Sequence, residues 1–206
     1  MTRLLQYCAR YPDNKLVFHA CPMTLEIHSD ASYLSRPHAR SVAGAVFYLP
    51  TSLSTPHRNG PCLALSSIIL VVVSSVAEAE YAALFMASRE GVMLRNILTS
   101  LDYPQPATRI YCDNACAVGI ANDTITPRRT KSIDMHFHWV RDRVRQQQFT
   151  VTWLKGANNL ADFSTKPLPV HIHTALMPAY VYTPPFSPTS SPHKRRRQIY
   201  LHNLLT

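Results

Sequence analysis

The spacing of apolar residues changes several times along the chain, and each change marks a predicted element. Residues 4–11 place apolar side chains at helical spacing and run into Pro12-Asp13-Asn14, so a helix is expected to close there. A helix so near the start, with little core of its own, points to missing upstream sequence. Short β-rich runs follow at 16–19, 24–28 and 43–49, separated by turn residues. Residues 50–61 are Ser, Thr, Pro, Asn and Gly in quantity and read as a loop. The apolar run 63–73 reads as one buried strand, or as two joined at Ser66-Ser67. Ser74 or Ser75 can cap a long helix beginning near Ala77, with Tyr81, Leu84, Phe85, Val92, Leu94, Ile97, Leu98 and Leu101 broadly at helical spacing. A strand over Thr108–Cys112 and a short helix over Ala115–Ala121 come next. A helix capped by Thr130 or Ser132 then carries Ile133, Phe137, Val140 and Val144 on one stripe. A strand at 149–154 and a last short helix from Asn158 or Asn159, stopping before Pro167, complete the series. Three strands in meander followed by alternating helices and strands imply an α/β fold, a mixed sheet with helices on its faces.

Composition narrows the class. A hydrophobic content of 46% in 206 residues suffices for a sizeable core. The formal charge is +9, of which Lys194-Arg195-Arg196-Arg197 supplies four; residues 1–166 hold 17 Lys and Arg against 12 Asp and Glu. That surplus suits a polyanionic partner without identifying one. The basic run itself reads equally as a nucleic-acid or nuclear-localisation patch and as plain tail. Five cysteines include no CxxC pair and leave an odd count, which points to a reducing, intracellular setting, cytoplasm or nucleus. The longest apolar stretch is too short to span a bilayer, so no membrane association is expected. Seven of the sixteen prolines lie beyond residue 166, in a Ser- and Thr-rich segment whose residues 183–198 read as a flexible tail.

The candidate chemistry lies in four acids. Asp30 follows a predicted strand, Asp113 follows another, Glu80 lies in the first turns of the long helix, and Asp162 lies near the start of the last one. Two strand ends and two helix beginnings can direct four carboxylates into one cleft, the donor set that hard divalent cations favour. Each acid alone reads more naturally as a turn or cap residue; the set is what carries weight. Glu78 competes with Glu80, but the two differ by about 200° around a helix and cannot face one metal equally. A zinc site from His136, His138, Cys112 and Cys116 is disfavoured, because the histidines are two residues apart on a helix. Asn114, Lys131, Arg141 and Lys155 are the candidate nucleic-acid contacts, with a solvated helix surface an equal reading for Arg141. Tyr33, Trp139 and Trp153 can stack on sugars or bases, although the core is the first expectation for both tryptophans.

These residues resemble a known family. Ser29-Asp30-Ala31, Ser74-Ser75-Val76-Ala77-Glu78-Ala79-Glu80-Tyr81, Tyr111-Cys112-Asp113-Asn114, and Asn159-Leu160-Ala161-Asp162 with Thr165-Lys166-Pro167-Leu168 look like the ribonuclease H domain of copia-type retrotransposon polyproteins. Arg129-Thr130-Lys131 with Ile133-Asp134 and His138 fits the helix before that family's last strand. Residues 5–18 resemble the close of the connection region after the polymerase. The resemblance implies a domain order of connection remnant at 1–23, ribonuclease H-like domain at 24–168 with a mixed five-stranded sheet, and Pro-rich basic tail, partly disordered, at 169–206. It further implies metal-dependent cutting of the RNA strand of RNA–DNA hybrids, with a reverse transcriptase domain as partner. Asp30, Glu80, Asp113 and Asp162 would be both catalytic and metal-binding, holding two Mg²⁺ ions with Mn²⁺ as a substitute. A catalytically inactive nucleic-acid-binding remnant is the alternative. The sequence departs from the family at Ser66-Ser67-Ile68-Ile69-Leu70, where a polar turn is usual, at Ser132 in place of His, and at Ser164 in place of an aliphatic residue. Thr152-Trp153-Leu154-Lys155-Gly156 also lacks the histidine that cellular ribonuclease H enzymes carry before the final Asp.

Overall fold

The computed structural model describes residues 2–51, 59–125 and 134–184. Two compact units are distinguished: Leu16–Tyr182, and a smaller one formed by Met1–Lys15 with Thr183–Thr206. In the smaller unit, helix α1 (Thr2–Arg10) closes where Tyr11 N–H donates to Tyr7 O at 3.0 Å, one residue before Pro12. A proline cannot extend the helical ladder, and the residue before it is driven out of the helical region.

The larger unit is built on five strands: β1 (Glu26–Arg36), β2 (Arg40–Tyr48), β3 (Leu63–Ile68), β4 (Thr108–Cys112) and β5 (Phe149–Trp153). Their order across the sheet is β3-β2-β1-β4-β5. The first three form an antiparallel meander; β4 and β5 add in parallel beside β1. Five helices accompany them: α2 (Val76–Ser100), α3 (Ala115–Ala121), α4 (Asp134–Arg145), α5 (Asp162–Thr165) and α6 (Val170–Leu176). The mixed five-stranded sheet is the one expected.

The two faces of the sheet are covered differently. Ile27, Ala45, Phe47, Ile110 and Phe149 pack with Tyr81, Leu84 and Ala87 of α2 in the main core. Gly91 allows the helix to lie close, since a Cβ there would sit 2.8 Å from Ile27 Cδ1 and 3.1 Å from the Phe149 ring. On the opposite face a smaller cluster joins Val46 and Tyr48 to Leu160 and Ala161, with Leu176, Ala179 and Tyr180 against it. Residues 170–179 thus continue the fold past position 169, as α6 and a 3₁₀ turn.

Several local expectations need correction. Residues 16–19 form no strand; their backbone meets the 59–60 segment, with Gly60 N–H donating to Val17 O at 3.0 Å and His19 N–H to Asn59 Oδ1 at 2.6 Å. Strand β1 runs well past His28, so Asp30 lies inside it, opposite Gly44, and not after its end. The polar run Ser29-Asp30-Ala31-Ser32 hides the strand because its even positions line the thinly covered face. The segment 63–73 is one strand only as far as Ile68 and is not buried throughout: β3 is an edge strand with alternating exposure, and Leu70 and Val72 are 87% and 82% exposed. Ile97 and Leu101 face outward near the end of α2. The expected caps Thr130 and Ser132, together with Ile133 and the side chain of Phe137, lie outside the described residues, as does the basic run 194–197; Val140 is fully buried where the stripe places it.

Candidate metal centre

Local structure delivers each acid. The stretch after Cys112 leaves the carboxyl end of β4, so Asp113 projects at the edge where parallel strands leave a crevice. Ser75 caps α2 by accepting from Glu78 N–H at 3.2 Å. Glu78 Oε2 reaches back to Ser74, accepting from its N–H at 2.6 Å and its hydroxyl at 2.8 Å. That reciprocal cap occupies Glu78 at the helix start and leaves Glu80 to turn inward, where it is 4% exposed. The helical geometry therefore separates the two glutamates in the expected sense.

Asp162 is delivered by an anchored loop. Buried Asn159 donates its amide to Ser29 O at 2.8 Å and accepts from Ala161 N–H at 3.2 Å. Leu160 N–H donates to His28 Nδ1 at 3.4 Å, and the Tyr180 hydroxyl donates to Leu160 O. Helix α5 then packs onto β2 at Gly44, where a Cβ would meet Thr165 Cγ2 at 2.5 Å and Ala161 O at 3.1 Å. Ser66 on β3 donates to Ser164 O at 2.7 Å. From α5 the Thr165 hydroxyl donates to Asp30 Oδ2.

The four predicted carboxylates are brought together. Oxygens of Asp30, Asp113 and Asp162 lie within 4.8 Å of one another, and Glu80, Asp113 and the Cys112 sulfur form a second group inside the same limit. Burial is the main cause that raises Asp30, to about 7, with the charges of Asp162 and Asp113 adding to it. Glu80 is raised to about 9, first by burial and then by Asp30 and Asp113. Asp113 is raised as well, by burial and Asp162. Such a pocket stores repulsion that a hard cation relieves, and its oxygen-rich donors fit a divalent ion of that kind. Cys112 is held far above its ordinary range by burial and the adjacent acids, so its thiol stays neutral.

The candidate nucleic-acid contacts are scattered. Asn114 caps α3, accepting from Ala117 N–H at 3.0 Å, directly beside Asp113. Lys155 is exposed just before the 3₁₀ turn Gly156–Asn158, and Gly156 permits that turn to pass Asp113 so closely that a Cβ would stand 2.9 Å from Asp113 Oδ2. Arg141 departs from the expectation of a phosphate contact: its guanidinium donates to Ile120 O at 2.8 Å and Ile125 O at 3.0 Å and pairs with Asp123 at 2.9 Å. Those bonds tie α4 to the end of α3. Lys131 lies outside the described residues.

Other readings also meet the structure. His136 stacks on Phe85 at 4.0 Å while Cys116 is exposed, and no cluster containing both histidines occurs among the described residues. Trp139 packs edge-on against Phe85 at 5.4 Å, as a core residue should. Trp153 does not: it is 53% exposed, and its indole N–H donates to Asp113 O at 2.9 Å. All five cysteines are free. Among the described residues no helix is long and apolar enough to cross a membrane. Thr165, Lys166 and Asn159 appeared in the sequence reading only as motif or helix-start residues without a role at the site, and Gly44 and Gly156 had no role there either. The first two had a signal, since positions three and four after Asp162 share its helical face.

The sheet order and its helices define a ribonuclease H-like fold. The N-terminal RNase H domain of a Mycobacterium tuberculosis protein superposes with a TM-score of 0.51 at 15% identity, over 75% of this chain and 96% of that one. LC11-RNase H1, solved in complex with an RNA/DNA hybrid, gives 0.51 at 14% identity, over 68% of this chain and 93% of that one. The chain's homologues are retrovirus-related Pol polyproteins of plant transposons, of the copia type. It is 31% identical to that of Arabidopsis thaliana transposon RE2 over 82% of its own length, and 33% identical to that of Nicotiana tabacum transposon TNT 1-94 over 48%. It spans only 11% and 7% of those two polyproteins. No protein-family model matches it.

Proposed function

We propose that this chain is the ribonuclease H segment of a retrotransposon Pol polyprotein and cuts the RNA strand of RNA–DNA hybrids with the help of two Mg²⁺ ions. The observation that supports this most is the convergence of Asp30, Asp113 and Asp162 within 4.8 Å, with Glu80 adjoining Asp113. When bound, the ions supply Lewis-acid activation of water and charge stabilisation at the departing oxygen. The chain's own residues do the positioning. Asp30 and Asp113 would hold both ions, with Glu80 contributing to one and Asp162 to the other. The Thr165 hydroxyl holds one Asp30 oxygen in a fixed direction, and Asn159 fixes the loop that brings Asp162 in. Exposed Lys155 is placed to meet a phosphate, and the free donors of the Asn114 carboxamide lie beside Asp113. Preference for hybrid would come from 2′-hydroxyls on one strand and the groove width of the duplex. The reverse transcriptase domain of the same polyprotein is the proposed partner.

Incubating the purified chain with a labelled hybrid and Mg²⁺ tests the reading. The intact chain cleaves, and Asp113→Asn lowers the rate by about a thousandfold or more, the scale of removing a charge-stabilising group at the reacting centre. Cleavage at the original rate in that variant would overturn the assignment. The alternative, a binding remnant that no longer cuts, draws support from the exposed Leu70, at the end of the 66–70 segment where the resembling family has a polar turn. Hybrid binding with no cleavage in either Mg²⁺ or Mn²⁺ would favour it.

A further inference from the structure

The acidic cluster already contains a cation of its own. Lys166 Nζ lies 2.8 Å from Asp162 Oδ1, four residues on and just past the end of α5. Surface ion pairs of this spacing are usually worth little, because water screens both partners. Here the pair is only half-open: the Asp162 side chain is 18% exposed, and the neighbouring Asp30 is 2% exposed. The backbone is arranged to favour the return of the side chain. Lys166 precedes Pro167, which biases it to an extended conformation, and its φ of −143° and ψ of 153° end the helix there. Helix α5 cannot drift, since Thr165 is bonded to Asp30 and seated against Gly44, and Ser164 O accepts from Ser66.

Resting on the metal-dependent reading above, we propose that Lys166 is a built-in counter-ion: it steadies the acidic pocket before metal binds and competes with a divalent ion for Asp162. The ammonium 2.8 Å from Asp162 Oδ1 repels a divalent ion brought to the same carboxylate. Binding of the ion on the Asp162 side is therefore opposed by Lys166 and eased when its side chain turns away. Lys166 is in this sense a positioning residue, not a metal ligand, and its effect opposes tight metal binding in the free protein.

The test is a calorimetric titration of the 206-residue chain with Mn²⁺ in the absence of nucleic acid, alongside thermal melting with and without the ion. Lys166→Met should bind Mn²⁺ about tenfold more tightly than the original chain, since an opposing charge has left the site. Its metal-free melting temperature should fall by about 2–4 °C, and the rise on adding Mn²⁺ should be larger than for the original chain. Lys166→Arg, which keeps the charge, should behave like the original in both measurements. If Lys166→Met proves unfolded, Lys166→Gln is titrated in its place, with the same tightening expected. Equal Mn²⁺ affinity in the original and neutral variants, with the original binding metal, overturns the counter-ion role and leaves the metal centre standing. Failure of every variant and of the original to bind Mn²⁺ overturns both.

Discussion

The two faces of the sheet are held by different means. On the α2 face a long helix lies over Ile27, Phe47, Ile110 and Phe149, all fully or nearly fully buried. On the α5 face the cover is a four-residue helix and a loop, with α6 and its 3₁₀ turn packed beside them, held by single hydrogen bonds to Ser29, His28 and Asp30. Apolar area is what stabilises a domain, at roughly 25 cal/mol per Å², so the first face supports the fold. The second positions Asp30 and Asp162 through bonds that must each be made. Buried charge is costly wherever it lies, and of the four acids only Glu80 comes from the helix of the thick face. A thin cover is also the side that a large substrate can reach.

Changes on either face should separate these roles. The strongest expected effect on stability is Phe47→Ala, which opens a cavity beneath α2. A loss of about 3–5 kcal/mol and a fall of about 10 °C in melting temperature, the same with and without Mn²⁺, is expected by circular dichroism. A metal-dependent fall would blur the division. Gly44→Ala is next. A methyl group there collides with Thr165 and Ala161, so α5 must lift from β2; Mn²⁺ affinity should drop about tenfold by titration while the metal-free melting temperature changes by only about 2–4 °C. Global unfolding would show that the two faces are not separable. Thr165→Val is the mildest. It removes the bond to Asp30 without changing volume much, a loss of about 1 kcal/mol, and should slow hybrid cleavage roughly threefold to tenfold with the fold intact.

The apolar face was also the face legible in the sequence. Helical spacing in α2, and the strands β4 and β5 with their buried alternate residues, appear as period and composition. The α5 face was legible only through the acids themselves. Strand β1 was read too short because Ser29-Asp30-Ala31-Ser32 breaks the hydrophobic alternation at the residues that line the pocket. Residues 16–19 have strand-like composition but no neighbouring strand to pair with, a tertiary matter that no local window contains. Gly44 gives no sign of its role until α5 is seen against it. Arg141 was misplaced for a similar reason: whether a cation faces solvent or the end of a neighbouring helix depends on packing. The order and spacing of Asp30, Glu80, Asp113 and Asp162 were legible because a set of short motifs in sequence carries information that no single acid does.

The late position of Asp162 in the chain has a consequence for biosynthesis. A ribosome delivers β1, α2 and β4 first, so the apolar core can form while the pocket still lacks one wall. Three of the acids then stand open until the segment ending at Lys166 emerges and closes over them. A product that terminates early between Trp153 and Asp162 would keep all five strands and lack the last carboxylate of the proposed metal centre.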